Sequence, residues 1–312
     1  MVKLAIESDK KSSMKKFLPF LFTAFGIYVL VGCQKNNPEP VVVAGFGYAE
    51  DESNYKKITF TNLSVNYKTV VWNFGDASDS TTEENPVHLF PGEGTFGVKL
   101  TATGNDGKKS EKAVNVIVAS PQFTITFQPD GAFGEDALLH GLPSVTDTNF
   151  GDNPEFAGNA WTFSGIPGVV RSVIDFDLAI IPDTVTITQA YLSLYAWDSD
   201  MGFGRHSTLS GSNACLLQRV ITEWDENTVT WNTQPATTTQ NEVILPESTS
   251  DTENYLNIDV TTLVKDMKSN PTESFGFMLK LETESYYRLM NFCSSDHTNP
   301  ALRPKLVVKY KI

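Results

Sequence analysis

The sequence predicts an all-β chain built as two sandwiches in series, a small one followed by a larger jelly roll that carries one short helix. Three observations predict this. Short runs rich in Val, Ile, Thr and aromatic residues recur between Gly, Asn and Asp clusters. Where apolar residues repeat, they do so with period two, and a single segment near residue 260 changes to a helical period. With 312 residues, 40% of them hydrophobic and 11% aromatic, the chain has enough apolar matter for two cores of ordinary size.

Residues 1–32 have the pattern of a signal peptide. Met14-Lys15-Lys16 precedes an apolar run from Phe17 to Val31, which closes in Leu30-Val31-Gly32-Cys33. This is the order of a basic region, a hydrophobic region and a small-residue cleavage site. The run is short for a bilayer span of roughly 20 residues. Leu-Val-Gly-Cys resembles a bacterial lipobox, and the resemblance implies lipidation of the Cys33 thiol with cleavage in front of it. Acyl chains would then anchor the protein to a membrane of the cell envelope, with the outer membrane expected and its face left open. Residues 33–40, the acylated Cys and a polar Pro-containing stretch, form a tether. Removing residues 1–32 leaves 19 basic against 35 acidic residues and a net charge of −16. A field of that sign repels phosphate backbones, so no nucleic acid is expected as a partner.

Residues 41–119 supply the small sandwich. Val41-Val42-Val43-Ala44, Lys57-Ile58-Thr59-Phe60, Thr69-Val70-Val71-Trp72 and Ala113-Val114-Asn115-Val116-Ile117 read as strands. Trp72 and Phe74 stand two apart and should fill the core, with Gly75-Asp76 turning the chain. Trp72-Asn73-Phe74-Gly75-Asp76, then Asn85-Pro86-Val87-His88-Leu89-Phe90, then Gly94-Thr95-Phe96-Gly97-Val98-Lys99-Leu100, resemble a PKD (polycystic kidney disease) domain in order and spacing. The resemblance implies an Ig-like β-sandwich acting as a spacer or interaction module. Asn73, Ala77 and Gly97 depart from the family pattern. His88 is expected to be a strand residue, not a metal ligand.

Residues 120–312 form the second domain. Ala190, Leu192, Leu194 and Ala196 alternate with Tyr191, Ser193, Tyr195 and Trp197, while Phe275, Phe277, Leu279 and Leu281 alternate with Gly276, Met278, Lys280 and Glu282. Leu306, Val308 and Tyr310 mark the last strand. Val260, Leu263, Val264 and Met267 predict the helix, capped by Asp259 or Thr261 and stopped before Pro271. This suggests a jelly roll of roughly eight to ten strands. Arg171 to Leu178, Ala190 to Tyr195, and above all Glu223-Trp224-Asp225-Glu226-Asn227-Thr228-Val229-Thr230-Trp231-Asn232-Thr233-Gln234-Pro235, with Asp259-Val260-Thr261 and Arg303-Pro304-Lys305-Leu306-Val307-Val308, resemble a DNRLRE domain. That domain is related to carbohydrate-binding module family 96, and the resemblance implies a jelly-roll module of surface lipoproteins, with anionic polysaccharide bound by some members. Cys215 and Cys293 are open to pairing or to burial as free thiols.

A polysaccharide ligand calls for flat aromatic faces beside amide, carboxylate or guanidinium groups. The candidates are Tyr191, Tyr195 and Trp197 on one strand face, Trp161 after a Gly- and Asn-rich stretch, and Tyr286, Tyr287 and Arg288 near the C-terminus. Trp224 and Trp231 are expected to be structural. Asp130, Glu135 and Asp136 flank Gly131 and Gly134 in a loop with the polarity for a structural calcium, the one cofactor to be weighed. With a charge of −16 a neutral or mixed polysaccharide is the easier ligand, unless calcium or local Lys and Arg bridge an anionic one. Common nucleophile, metalloprotease and nucleotide-binding motifs are absent, and the four His are scattered. A carboxylate pair among Asp175, Asp177, Asp225 and Glu226 is the one route to catalysis. The expectation is a non-catalytic polysaccharide binder; an adhesion protein that binds other proteins is the alternative.

Overall fold

The structure, a computed structural model, describes residues 40–132 and 134–312. The signal peptide, Cys33 and residues up to 39 lie outside the described residues. Two compact units meet in sequence at Pro121 and Gln122. No helix among the described residues is long and apolar enough to cross a membrane.

In the first unit β1 (Phe46–Asp51), β2 (Asn54–Asn62) and β4 (Val87–Leu89) form one sheet, and β3 (Thr69–Asn73), β5 (Gly94–Thr103) and β6 (Lys109–Val118) form the other. Alternation places Ile58, Phe60, Val70, Trp72, Val98, Leu100 and Val116 in the space between them, all buried. Trp72 and Phe74 both enter this core, and the Trp72 indole N–H donates to the Glu83 carbonyl at 2.9 Å. The turn after β3 explains one departure from the family pattern. Gly75 has φ 76°, and a Cβ there would lie 2.7 Å from the Gly97 carbonyl oxygen. Ala77 also takes a positive φ of 66°, at some cost for a residue with a Cβ. Nothing in the structure requires glycine at 97, where a Cβ would meet only Asn115 at 3.9 Å. His88 lies in β4, as expected: its ring stacks on Phe74 and its Nε2 is 2.7 Å from Asp76 Oδ2.

The second unit has strands β7 (Gln122–Phe127), β8 (Glu135–His140), β9 (Glu155–Phe163), β10 (Ile166–Asp175), β11 (Thr186–Leu194), β12 (Cys215–Val220), β13 (Thr237–Leu245), β14 (Tyr255–Asp259), β15 (Phe277–Leu281), β16 (Arg288–Cys293) and β17 (Lys305–Lys311). They make a four-stranded sheet in the order β14-β11-β17-β7 and a seven-stranded sheet in the order β13-β12-β15-β10-β9-β16, with β8 on β10. The described residues thus exceed the eight to ten strands expected. β13, which opens on three Thr and buries only Leu245, has no apolar alternation by which to be read.

Ala190, Leu192, Leu194, Leu306 and Val308 of the smaller sheet face Ile174, Leu217, Phe277, Leu279 and Phe292 of the larger, and this is the main core. Helix α1 (Thr261–Ser269) adds Leu263, Val264 and Met267. Its N-cap is Val260, which has no side-chain cap bond; Asp259 instead accepts from Thr261 N at 2.9 Å. Thr261 Oγ1 accepts from Ala190 N at 2.9 Å, tying the helix start to β11. Pro271 opens a short 3-10 turn beyond the helix end. Cys215 and Cys293 are buried and unpaired. Burial raises both thiol pKa values, that of Cys293 to about 12, so neither is a ready nucleophile.

β10 changes partner along its length, pairing with β9 through Ile166–Val170 and with β15 through Ser172–Ile174. At the fork the Ser172 hydroxyl accepts from Ala157 N at 2.8 Å and donates to Ala157 O at 3.0 Å, standing in for the ladder that β9 leaves. Ser172→Ala strands a buried amide and should lower the unfolding free energy by about 1–3 kcal/mol in a denaturant titration.

Candidate functional site

The larger sheet is covered on its second face as well. Ala137, Leu139, Val173, Val220 and Met278 point away from the main core and are roofed by Trp224, Val229 and Trp231 from the segment between β12 and β13. The segment is pinned at several points. Trp224 Nε1 donates to Phe275 O at 2.8 Å, and Asn149 Nδ2 donates to the carbonyls of Glu226 and Val229 at 2.7 and 2.8 Å. Arg171 lies 5.0 Å from the Trp231 ring and forks onto Glu284 at 2.7 and 3.0 Å. Trp224 and Trp231 are thus structural, as expected.

This roof creates two acidic sites, because adjacent carboxylates point to opposite sides. Glu135 and Asp225, with Asp175, Glu223, Trp224, Thr228 and Phe275, line an open cleft of about 510 Å³. Glu135 and Asp175 are direct cross-strand neighbours, placing their Cβ atoms about 5 Å apart. Burial, followed by the charges of Glu135 and Asp177, pushes the Asp175 carboxyl up to about 7 even though its Oδ1 accepts from Phe176 N at 2.8 Å.

Asp136 and Glu226 turn the other way and meet Asp296 from the turn after β16. One carboxylate oxygen from each lies within 4.8 Å of the other two, the one grouping of this kind among the described residues. Asp136 is 1% exposed. Its carboxylate accepts from Ser295 N at 2.7 Å, and its own N–H donates to Glu226 Oε1 at 3.1 Å. Burial is the main cause that raises all three carboxyls, Asp136 and Glu226 to about 7, and their neighbours' negative charges add to it. Of Asp130, Glu135 and Asp136, the acids expected to surround a calcium, only Asp136 enters this cluster. Glu135 faces the cleft, and Asp130 caps its own turn by accepting from Ala132 N at 3.3 Å. Asp296 was not legible, since its partners are far away in the chain.

The aromatic candidates fall into two groups. Trp161 on β9 packs edge-to-face on Tyr287, with ring centroids 5.2 Å apart. Tyr286 and Tyr287 are 42% and 39% exposed, and Tyr287 takes a positive φ of 71°. Arg288 beside them reaches the Ser210 carbonyl at 3.3 Å. Tyr191, Tyr195 and Trp197 do not form one platform. Tyr191 sits within the four-stranded sheet, whereas Ala196 already bridges to Phe292 of the larger sheet. Trp197 is held by its indole N–H to Met201 O at 3.0 Å and by the His297 ring.

The chain belongs to carbohydrate-binding module family 96, whose model matches residues 135–310, and a PKD-domain model matches residues 37–118 ahead of it. Collagenase ColA of Bacillus cereus is 35% identical over 81 residues, 25% of this chain and 8% of that protein, so the match spans under a tenth of that relative. Among solved structures, the PKD1 domain of the Vibrio cholerae metalloprotease PrtV is 22% identical over 26% of this chain and 100% of its own, with a TM-score of 0.24. Carbohydrate-binding modules of the β-sandwich superfamily align over 88% of this chain and 92% of theirs at 13% identity, with a TM-score of 0.25.

Asp175 yields a pH prediction. Its folded pKa stands above its unfolded value, so the folded state holds the extra proton and stability is lost as pH rises from about 4 through 7. Thermal melts should show the midpoint falling from pH 5 to pH 8, with a shallower fall in Asp175→Asn.

Proposed function

We propose that this is a cell-envelope lipoprotein, acylated on Cys33, whose second unit binds polysaccharide while the PKD domain serves as a spacer. The Trp161–Tyr287 pair carries the reading. Two large rings, one on β9 and one just ahead of β16, stand partly exposed, the second on a backbone conformation that costs energy, and the main core contains neither. Sugar rings stack on such faces, and Tyr286 and Arg288 add hydroxyl and guanidinium donors next to them. The strongly negative chain favours a neutral or mixed polymer over a polyanion. Family membership supports the ligand class.

Affinity electrophoresis through gels containing neutral β-glucan, xylan or alginate, each with and without calcium, tests this. Retardation is expected in a neutral gel, with Trp161→Ala and Tyr287→Ala each weakening it about 10-fold or more. An unretarded wild-type protein in every gel overturns the reading. Metabolic labelling with an alkyne fatty acid should mark the wild-type chain and leave Cys33→Ala unlabelled.

A second reading has the cleft as its support. Asp175, its carboxyl pushed up to about 7 by burial, stands across from Glu135 as an acid–base couple of the type used in glycoside cleavage, and Trp224 offers a wall for a sugar. Release of new reducing or unsaturated ends that is lost in both Asp175→Asn and Glu135→Gln would establish it in place of simple binding.

A further inference from the structure

We propose that Asp136, Glu226 and Asp296 together hold a calcium ion, which fastens the segment between β12 and β13 and the turn after β16 onto β8. Three carboxylates converge within 4.8 Å, one of them wholly enclosed. Among the described residues no Lys, Arg or His forms an ion pair with any of them. Arg303 acts on Asp296 through its charge, while its Nε is committed to the His297 carbonyl at 2.9 Å. Three like charges so close, with so little opposite charge, call for a counter-ion.

A second observation, independent of the charges, points the same way. Ser295 is 0% exposed, and its side chain lies against the Asp136 carboxyl, yet its Oγ has no hydrogen-bond partner of acceptable geometry. The buried Asp296 Oδ2 also has none. Such orphaned oxygens are rare in a folded chain unless an ion or water satisfies them. The chain is also shaped to bring backbone close here. A Cβ on Gly131 would strike the Asp296 carboxylate, and one on Gly134 would strike Ser295 Oγ and come within 2.9 Å of the Asp130 carbonyl oxygen.

The donor set selects the ion. Every available atom is oxygen, with neither imidazole nor thiolate, which suits a hard cation. Carboxylates, a hydroxyl and a nearby carbonyl from separate segments form an irregular set. Calcium, with six to eight oxygens at roughly 2.3–2.6 Å, tolerates this, whereas magnesium demands a near-ideal octahedron. Asp152 is near enough to act on both Glu226 and Asp296 by its charge and so adds to the field that draws the cation in. Because Asp136 and Glu226 are 90 residues apart in sequence, one ion here cross-links distant parts of the fold. This inference does not depend on the glycan reading.

The test uses the full chain stripped with chelator and titrated with calcium chloride, followed by thermal melting and isothermal titration calorimetry. One ion per chain should bind, and the midpoint should rise by about 5–10 °C at a hundredfold excess over Kd. Glu226→Gln and Asp296→Asn, both at the partly exposed rim, should weaken calcium binding at least about tenfold. Glu223→Gln in the cleft should leave it unchanged. The proposal is overturned if millimolar calcium shifts nothing, if Asp296→Asn keeps the full response, or if Glu223→Gln abolishes it.

Discussion

Roofing of the second face of the seven-stranded sheet is the constraint on which the rest of the larger unit depends. An antiparallel sheet commonly leaves one face to water, but here Val173, Val220 and Met278 are buried under Trp224, Val229 and Trp231. The roof must reach across several strands without a ladder of its own. It is held by side chain to backbone bonds from Asn149 and Trp224, and by the Arg171 fork on which Trp231 leans. The same short block therefore supplies apolar cover, a cleft wall and two carboxylates.

How much of this was legible follows from how local each signal is. Strand alternation marks Ala190 to Leu194 and Phe277 to Leu281 without ambiguity, because burial on one face needs only neighbours two residues away. The helix was equally plain, although its cap is shared between the Asp259 carboxylate and a Val260 that makes no side-chain cap bond. Trp72 and Phe74 declared themselves by spacing alone. The acid cluster did not. Asp136, Glu226 and Asp296 come from three separate segments, and only folding makes them neighbours. The loop around Asp130 is marked in the sequence by its acids, whereas its glycines let the backbone pass close to Asp296 and Ser295.

The tyrosines illustrate a related limit. Tyr191, Tyr195 and Trp197 share a parity that would place them on one surface of a continuous strand, but the chain leaves one sheet for the other between Leu194 and Ala196. Trp161 and Tyr287 carry no common pattern. They meet because β9 and β16 are paired, with Arg288 opposite Ala160.

One further consequence concerns insertions and deletions. Glu135 and Asp136 divide their charges between cleft and cluster by strand parity alone, and Asp225 and Glu226 do the same from a turn outside any strand. Slipping β8 by a single position would send each of its two acids to the wrong compartment. The register of β8 is thus a shared frame for both compartments, and a slip there damages them together while leaving composition and charge untouched.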